Sequence, residues 1–319
     1  MYKILVIESL HQEALQLIDA RNDVNYQLIN DVSEENILAH IEDADALTIR
    51  VSTLPEKALQ KGKKLKVISR HGVGYDNIPL DECTRLGIPL ALVGSVNSIA
   101  VSEQTIFLIM AVAKLGAIFN QGVKAGNFGI RGKHRPIELY GKKILIVGFG
   151  KIGKKVAKRA QALGMDILVY DPYLKPDEGD LKVLSSLEEG LKIADVISLH
   201  LPLTAETKYL IGKNELAILK DKAILVNTSR GGIIDETALH ETLCVGKLHG
   251  VGLDVFEQEP VHPDNPILSH DRVIVSPHSS ALTDETLKAM GMMTVKNALN
   301  AIDGCLDPTL VVNPEVLST

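Results

Sequence analysis

Cysteine is scarce in this 319-residue chain: Cys83, Cys244 and Cys305 are odd in number and far apart. They make neither a disulfide framework nor a CxxC metal pair, and read as small buried hydrophobes in a reducing compartment, with no metal site expected. An excess of basic charge is also missing. Lys and Arg number 34 against 40 Asp and Glu, a formal charge of −6, which argues against broad electrostatic binding of nucleic acid or of an acidic membrane. Long hydrophobic runs are absent. The longest apolar stretch, residues 106–119, is interrupted by Lys114 and is too short to span a bilayer. The opening MYKILVIESL turns polar too early for a secretory leader. These absences predict a cytoplasmic protein with no nucleic-acid and no membrane partner. The 45% of hydrophobic residues supply cores for about two domains.

What is present is alternation. Short β-branched runs, KILVI (3–7), ALTI (46–49), LKVIS (65–69) and PLALV (89–93), read as buried strands. Residues 11–20 and 33–43 carry apolar side chains at helical spacing, the latter with Ser33 as N-cap and Glu34 and Glu35 in the first turn. One long helical pattern, 98–124, and an aperiodic basic stretch, 126–136, precede a second series of strands. These fall at 143–147, 167–170, 196–200, 223–226, 251–253 and 273–275, with a helix at 150–164. A last helix, 283–302, leads into the strand-like tail LVVNPEVL, which is expected to return to the first unit. Strand and helix in alternation imply right-handed crossovers and parallel sheets. The fold class expected is α/β, two doubly wound parallel-sheet domains.

The second unit opens with GFGKIG, in which Gly148, Gly150 and Gly153 follow a strand and start a helix. The first glycine permits the tight turn, the second lets the backbone approach a pyrophosphate, and the third allows close packing of helix on strand. The helix N-terminus then presents N–H groups and a positive dipole end to the phosphates. Asp171 ends the next strand. Its carboxylate can bond both ribose hydroxyls and would repel a 2′-phosphate, so the cofactor expected is NAD rather than NADP.

Three further polar signals fall at strand ends, where open α/β sheets bind ligands. Arg230 follows strand 223–226 in NTSRGG, Asp254 and Glu259 follow strand 251–253 in LDVFEQEP, and His278 follows strand 273–275. Singly, such an Arg reads as an ion pair and a lone His as a satisfied polar group, the reading given to His11, His40 and His262. Together, beside a dinucleotide signature, they suit hydride transfer. A guanidinium holds a carboxylate and polarises the adjacent carbonyl. An imidazole supplies the proton that the new alkoxide needs, and a carboxylate, here Glu259, fixes its tautomer.

These motifs resemble those of the D-isomer-specific 2-hydroxyacid dehydrogenase family, in particular its short phosphoglycerate-dehydrogenase-like members. The resemblance runs from RHGVGYDNI (70–78) and NSIAVSEQT (97–105) through the glycine loop to NTSRGG, GLDVFEQEP and SPHSSALT. It implies Arg230, Glu259 and His278 as the catalytic set, and Asp254 at the nicotinamide carboxamide. Lys151 and Ile152 would lie at the pyrophosphate, and Leu201, Thr228 and Thr105 in the cofactor groove. Val73 and Gly74 match the loop that holds the substrate carboxylate, and Asn97 a substrate or cofactor contact. The resemblance further implies a discontinuous, flavodoxin-like substrate domain, residues 1–98 and 287–319, with a Rossmann NAD-binding domain, residues 99–286, inserted in it. A homodimer through the nucleotide domain is implied as well. The chain departs from the family at LVGSV (92–96), which replaces a common Asn-x-Pro, and at Asn127 and Phe128, where a tryptophan is common.

For the substrate, Arg50, Ser52 and Arg70 are candidate phosphate contacts, while Arg131, Lys133 and Arg135 read as solvated loop charges. A phosphorylated acid such as 3-phosphoglycerate leads, with glyoxylate, hydroxypyruvate, pyruvate or a branched 2-oxo acid as alternatives. Two rival readings are a non-enzymatic NAD-sensing scaffold like the co-repressor relatives of this fold, and a formate- or phosphite-type enzyme. Formate dehydrogenases have glutamine where Glu259 stands.

Overall fold

The chain builds most of one folding unit, leaves it for a second, and comes back. In the computed structural model, which describes residues 1–174 and 182–318, the first unit is Met1–Asn97 with Leu282–Thr319 and the second is Ser98–Ala281.

Unit 1 starts with β1 (Tyr2–Ile7), α1 (Gln12–Asp19), β2 (Val24–Ile29), α2 (Glu34–His40), β3 (Ala46–Ile49), α3 (Glu56–Lys61), β4 (Ile68–Arg70), α4 (Leu80–Arg85) and β5 (Leu90–Ala91). The strands are parallel, in the order β2-β1-β3-β4-β5, the flavodoxin-like arrangement. Ile4, Leu5, Val6 and Ile7 of β1 are all fully buried, because a parallel sheet is covered on both faces. Alternation along the strand sends Ile4 and Val6 to one core with Ala14 and Ile18 of α1, and Leu5 and Ile7 to another with Ile37, Leu59 and Cys83 of α2, α3 and α4. β2, which has a single partner strand, carries the polar Asn25 and Gln27 and shows no buried run that the sequence reading could recognise.

Unit 2 contains α5 (Ser98–Ala113), α6 (Gly116–Lys124), β6 (Lys143–Val147), α7 (Lys151–Ala162), β7 (Asp166–Tyr170), β8 (Lys182–Val183), α8 (Leu187–Ile193), β9 (Val196–Leu199), α9 (Lys213–Ile218), β10 (Ile224–Asn227), α10 (Glu236–Cys244), β11 (Gly250–Leu253) and β12 (Val273–Val275). Its parallel sheet runs β12-β11-β10-β9-β6-β7-β8, the Rossmann order extended by one strand. Leu108, Ile109 and Val112 of α5 pack with Ile144 and Ile146 on one face. Leu191, Leu216 and Leu239 of α8, α9 and α10 pack with Leu145 and Val147 on the other. The single helix expected over 98–124 is two helices bent by 62°, because Leu115 takes a left-handed φ of 55° before Gly116. Among the described residues, no single helix is long and apolar enough to cross a membrane.

The chain returns with α11 (Asp284–Ile302), whose Val295, Ala298 and Ile302 complete the core shared by Ile4 and Val6. Ser69 Oγ donates to the Thr294 carbonyl at 2.9 Å, tying α11 to β4. The second crossing lies at 281/282 rather than at 286/287, which would cut the first turn of α11. The tail is not a strand. It makes one antiparallel bridge, Ala91 with Val311, between 3₁₀ turns begun by Pro308 and Pro314, prolines that supply no N–H for a ladder. Asn313 instead caps the sheet edge, accepting from Leu90 N at 2.9 Å and donating to the Ile88 carbonyl at 3.0 Å. Only Cys83 is the buried thiol expected, pushed up to about 12 by burial. Cys244 and Cys305 are exposed, at the end of α10 and just beyond α11.

His71 sits buried just past β4, where burial, with Arg50 and Arg70 adding repulsion, pushes its imidazole down to about 4. Unfolded, it takes up a proton below its ordinary 6.5; folded, it does so only below about 4. Stability should therefore fall as pH drops through that window, by at most about 3 kcal/mol from this residue. Urea unfolding of His71→Asn should show a flatter loss of stability between pH about 7 and about 4.5 than the parent chain; equal slopes would exclude His71 as the source.

Candidate active site

The strand order of unit 2 reverses between β6 and β9, so the crevice for a ligand opens beyond their carboxyl ends. Gly148 turns there with a φ of +90°, and an added Cβ would stand 2.4 Å from the His200 carbonyl oxygen and 2.8 Å from Leu201 Cδ2. Leu201 thus lines the turn itself. Gly153, the third glycine, packs its α7 backbone onto the Gly148 carbonyl. Gly150 is the N-cap of α7, and a Cβ on it would meet nothing within 4 Å. The helix has no side-chain cap, so its first-turn N–H groups face that space without an internal acceptor from a cap. Lys151 is exposed at this end, and Ile152 is half-buried against the core. Asp171, just past β7, accepts from Phe149 N at 2.8 Å with Oδ2 and from Tyr173 N at 3.0 Å with Oδ1. Each oxygen keeps a lone pair for a sugar hydroxyl. This space, dipole and acid suit a dinucleotide.

Thr228 and Thr105 are bonded to each other. Thr105 is fully buried, and its hydroxyl donates to the Val101 carbonyl at 2.8 Å. Its bond to Thr228 Oγ1, also 2.8 Å, must then be donated by Thr228. Thr105 thus supports Thr228 from within the fold.

The acid–base group is built by three loops. Asn227, at the end of β10, accepts from Ser229 N and Oγ at 3.0 and 2.7 Å and donates to the Arg230 carbonyl at 2.8 Å, which shapes the turn that presents Arg230. Arg230 Nη1 donates to the Ser229 carbonyl at 2.7 Å. A Cβ on Gly231 would stand 1.7 Å from the Phe256 carbonyl oxygen; only glycine lets this turn lie against the loop that carries Glu259. Glu259 Oε1 accepts from Phe256 N at 3.0 Å, and its Oε2 pairs with His278 Nδ1 at 2.7 Å. Burial would raise the Glu259 carboxyl, but the His278 and Phe256 hydrogen bonds and the charges of His278 and Arg230 hold it below the usual carboxylate range. With Nδ1 engaged, Nε2 of His278 is the nitrogen left for exchange with a ligand.

Asp254 holds this geometry. It is fully buried, and its carboxylate accepts from Ser276 Oγ, Ser279 N, Ser280 N and Ser280 Oγ. Its carbonyl accepts from His278 N at 2.7 Å. Four donors match the lone pairs of a carboxylate, so a bond to a nicotinamide carboxamide would have to displace one of them. The loop so gripped keeps His278 at a φ of 52°, a left-handed conformation that a non-glycine residue adopts only under constraint. The serines and Asn227 escaped the sequence reading, although SPHSS and NTSRGG both displayed them.

In unit 1 the strand order reverses between β1 and β3, and there the crevice holds a side chain of the protein. Glu8, at a φ of 66°, accepts with Oε2 from the amides of Arg50, Val51 and Ser52 at 3.2, 2.9 and 3.2 Å. Arg50 also donates from Nη1 to the Ser9 carbonyl at 2.9 Å, and Arg70 from Nη1 to the His71 carbonyl at 2.8 Å. Val73 and Gly74 follow in the partly exposed turn after β4, and Asn97 is buried at the end of this segment.

Residues 106–280 match the sequence model of the family described as D-isomer specific 2-hydroxyacid dehydrogenase, NAD binding domain. The chain belongs to that family. It is similar to the D-3-phosphoglycerate dehydrogenase of Methanocaldococcus jannaschii, 39% identical over 99% of this chain and 60% of that protein. It is also similar to the glyoxylate reductase of Aeropyrum pernix, 35% identical over 99% of this chain and 97% of that protein. Among solved structures, a D-lactate dehydrogenase from Aquifex aeolicus, complexed with NAD and lactic acid, superposes with a TM-score of 0.86 at 30% identity, covering 97% of this chain and 99% of the other. The chain spans 60% and 58% of the length of two archaeal phosphoglycerate dehydrogenases that it matches. Unit 2 is the family's NAD-binding domain.

Replacing Asp254 by Asn keeps one acceptor oxygen and puts an amide N–H₂ against the two donors that bond the other. Thermal unfolding should show a loss of about 1–3 kcal/mol, with a parallel fall in any activity that depends on His278. A variant as stable as the parent chain would show that the loop is held by something else.

Proposed function

We propose that this chain is an NAD-dependent D-2-hydroxyacid dehydrogenase, interconverting a D-2-hydroxy acid and its 2-oxo acid. The observation that carries the reading is the 2.7 Å pair of His278 with Glu259, placed where the Arg230 charge is felt and on the same sheet edge as the open glycine turn. The cofactor, when bound, supplies or accepts the hydride. Gly148, Gly150 and the α7 N-terminus would hold its pyrophosphate and Asp171 its ribose; the space at Gly150 supports this. Arg230 binds the substrate carboxylate and draws electron density from the carbonyl. His278 gives its Nε2 proton to the developing alkoxide, or takes it in the oxidative direction. Glu259 fixes the imidazole tautomer and stabilises the imidazolium. Asp254 positions the loop.

The substrate pair that leads is 3-phosphoglycerate and 3-phosphohydroxypyruvate, supported by the guanidinium groups of Arg50 and Arg70 about His71. One observation favours a smaller, unphosphorylated 2-oxo acid such as glyoxylate or hydroxypyruvate: Glu8 takes up the amides of residues 50–52 and puts a negative charge where a phosphate would need donors. We place the protein in the cytoplasm as a homodimer. The unpaired, exposed thiols of Cys244 and Cys305 support a reducing compartment. Exposed Phe107, Val123 and Phe128 support a self-association surface on unit 2.

An NADH-oxidation screen over 2-oxo acids, including 3-phosphohydroxypyruvate, should find turnover, and no turnover on any member would favour an NAD-sensing scaffold. His278→Ala should lower kcat by about 10²–10⁴-fold while NADH affinity, read by fluorescence titration, stays nearly unchanged. Asp171→Ala should weaken NADH and narrow the gap to NADPH; an unchanged preference would remove Asp171 as the ribose acceptor.

A further inference from the structure

We propose that His240, Cys244 and His270 form a zinc(II) site in unit 2, separate from the acid–base group and independent of the reaction assigned above. His240 and Cys244 are one turn apart on α10 and therefore share a face of the helix. His270 reaches that face from the end of a short 3₁₀ turn, Pro266–Ser269, in the segment between β11 and β12. Each residue offers one donor atom, and the three donors lie within 4.8 Å of one another. His240 Nδ1 is 2.9 Å from His270 Nε2, and Cys244 Sγ is 3.6 Å from His240 Nε2 and 4.0 Å from His270 Nε2. A tetrahedral zinc with bonds of about 2.0–2.1 Å to nitrogen and 2.3 Å to sulfur asks for donor separations of roughly 3.3–3.6 Å. The 2.9 and 3.6 Å separations involve different nitrogens of His240, of which zinc takes one, so side-chain rotation brings the three donors to that spacing from within 4.8 Å of one another.

The chemistry of the set selects the ion. Thiolate and imidazole suit zinc, whereas calcium and magnesium require oxygen. Both histidines are half-buried and Cys244 is exposed, so three protein ligands hold the ion from one side and water takes the fourth position. For the metal to take the place of the hydrogen shared by two imidazole nitrogens 2.9 Å apart, that proton moves to the other nitrogen of its own ring, which frees both facing lone pairs.

The position gives the ion a mechanical role. At its N-terminal end α10 already grips the same segment, since Glu236 accepts from Glu257 N and from Asn265 Nδ2 at 2.6 and 2.8 Å. Zinc at Cys244 would add a second tether at the other end of the helix. The stretch thus held on both sides runs between Glu259 and His278.

The test uses the full chain, stripped with chelator and then given zinc chloride. Iodoacetamide should alkylate both Cys244 and Cys305 in the stripped protein. Zinc should slow Cys244 by about tenfold or more, leave Cys305 unchanged and raise Tm. Cobalt(II) should bind one per chain and give a thiolate-to-cobalt charge-transfer band that Cys244→Ser abolishes. His270→Asn, which keeps the thiol, should lose the protection. Equal alkylation of Cys244 with and without zinc would overturn the site, and so would protection that survives His270→Asn. The comparison within the unaltered protein decides even if a variant fails to fold.

Discussion

A buried carboxylate that is not fully bonded costs several kcal/mol, and that constraint at Asp254 organises the functional edge of unit 2. The side chain is wholly shielded from water, so the loop after β12 must bring its donors to it, and Ser276, Ser279 and Ser280 do so. Once the loop closes on the carboxylate, His278 has little freedom in its backbone, and its side chain falls within reach of Glu259. The proposed proton carrier is therefore set in place by a neighbour that need not touch the reacting atoms.

Both units obey the rule that a doubly wound sheet opens a crevice where its strand order reverses, yet they use it in opposite ways. In unit 2 the place is kept clear by glycine and by a helix end without a cap. In unit 1 a carboxylate from the chain itself, Glu8, satisfies three successive amides of the turn after β3. A nest of backbone donors can serve a ligand or the fold. Here unit 1 spends it on the fold, so the amides of residues 50–52 already have their acceptor.

Much of this was legible in the residues, because buried parallel strands are written as β-branched runs and because strand ends announce where polar groups converge. β6 and β12 match the expected 143–147 and 273–275, and Glu259 and His278 could be named from their places after β11 and β12. What stayed hidden depended on partners distant in sequence. Thr105 meets Thr228 across a separation of 123 residues. Glu8 meets Ser52 across a separation of 44 residues, and His240 meets His270 across 30. The edge strand β2 and the break at Leu115 were missed for local reasons, one having too few apolar residues and the other too good a helical pattern. The cysteines misled because scarcity suggests burial, whereas two of the three lie at helix ends.

Because α11 belongs to unit 1, the first 97 residues emerge during synthesis with one side of their sheet covered by α1 alone. The ribosome must deliver roughly 180 further residues, about 10–40 s of translation at about 5–20 residues per second, before the helix that covers Ile4 and Val6 exists. Unit 2, unbroken in sequence, can finish folding in that interval. A chain stalled near residue 281 would carry a complete Rossmann unit and a first unit whose apolar sheet face is only partly covered, the state most open to chaperone capture or to aggregation.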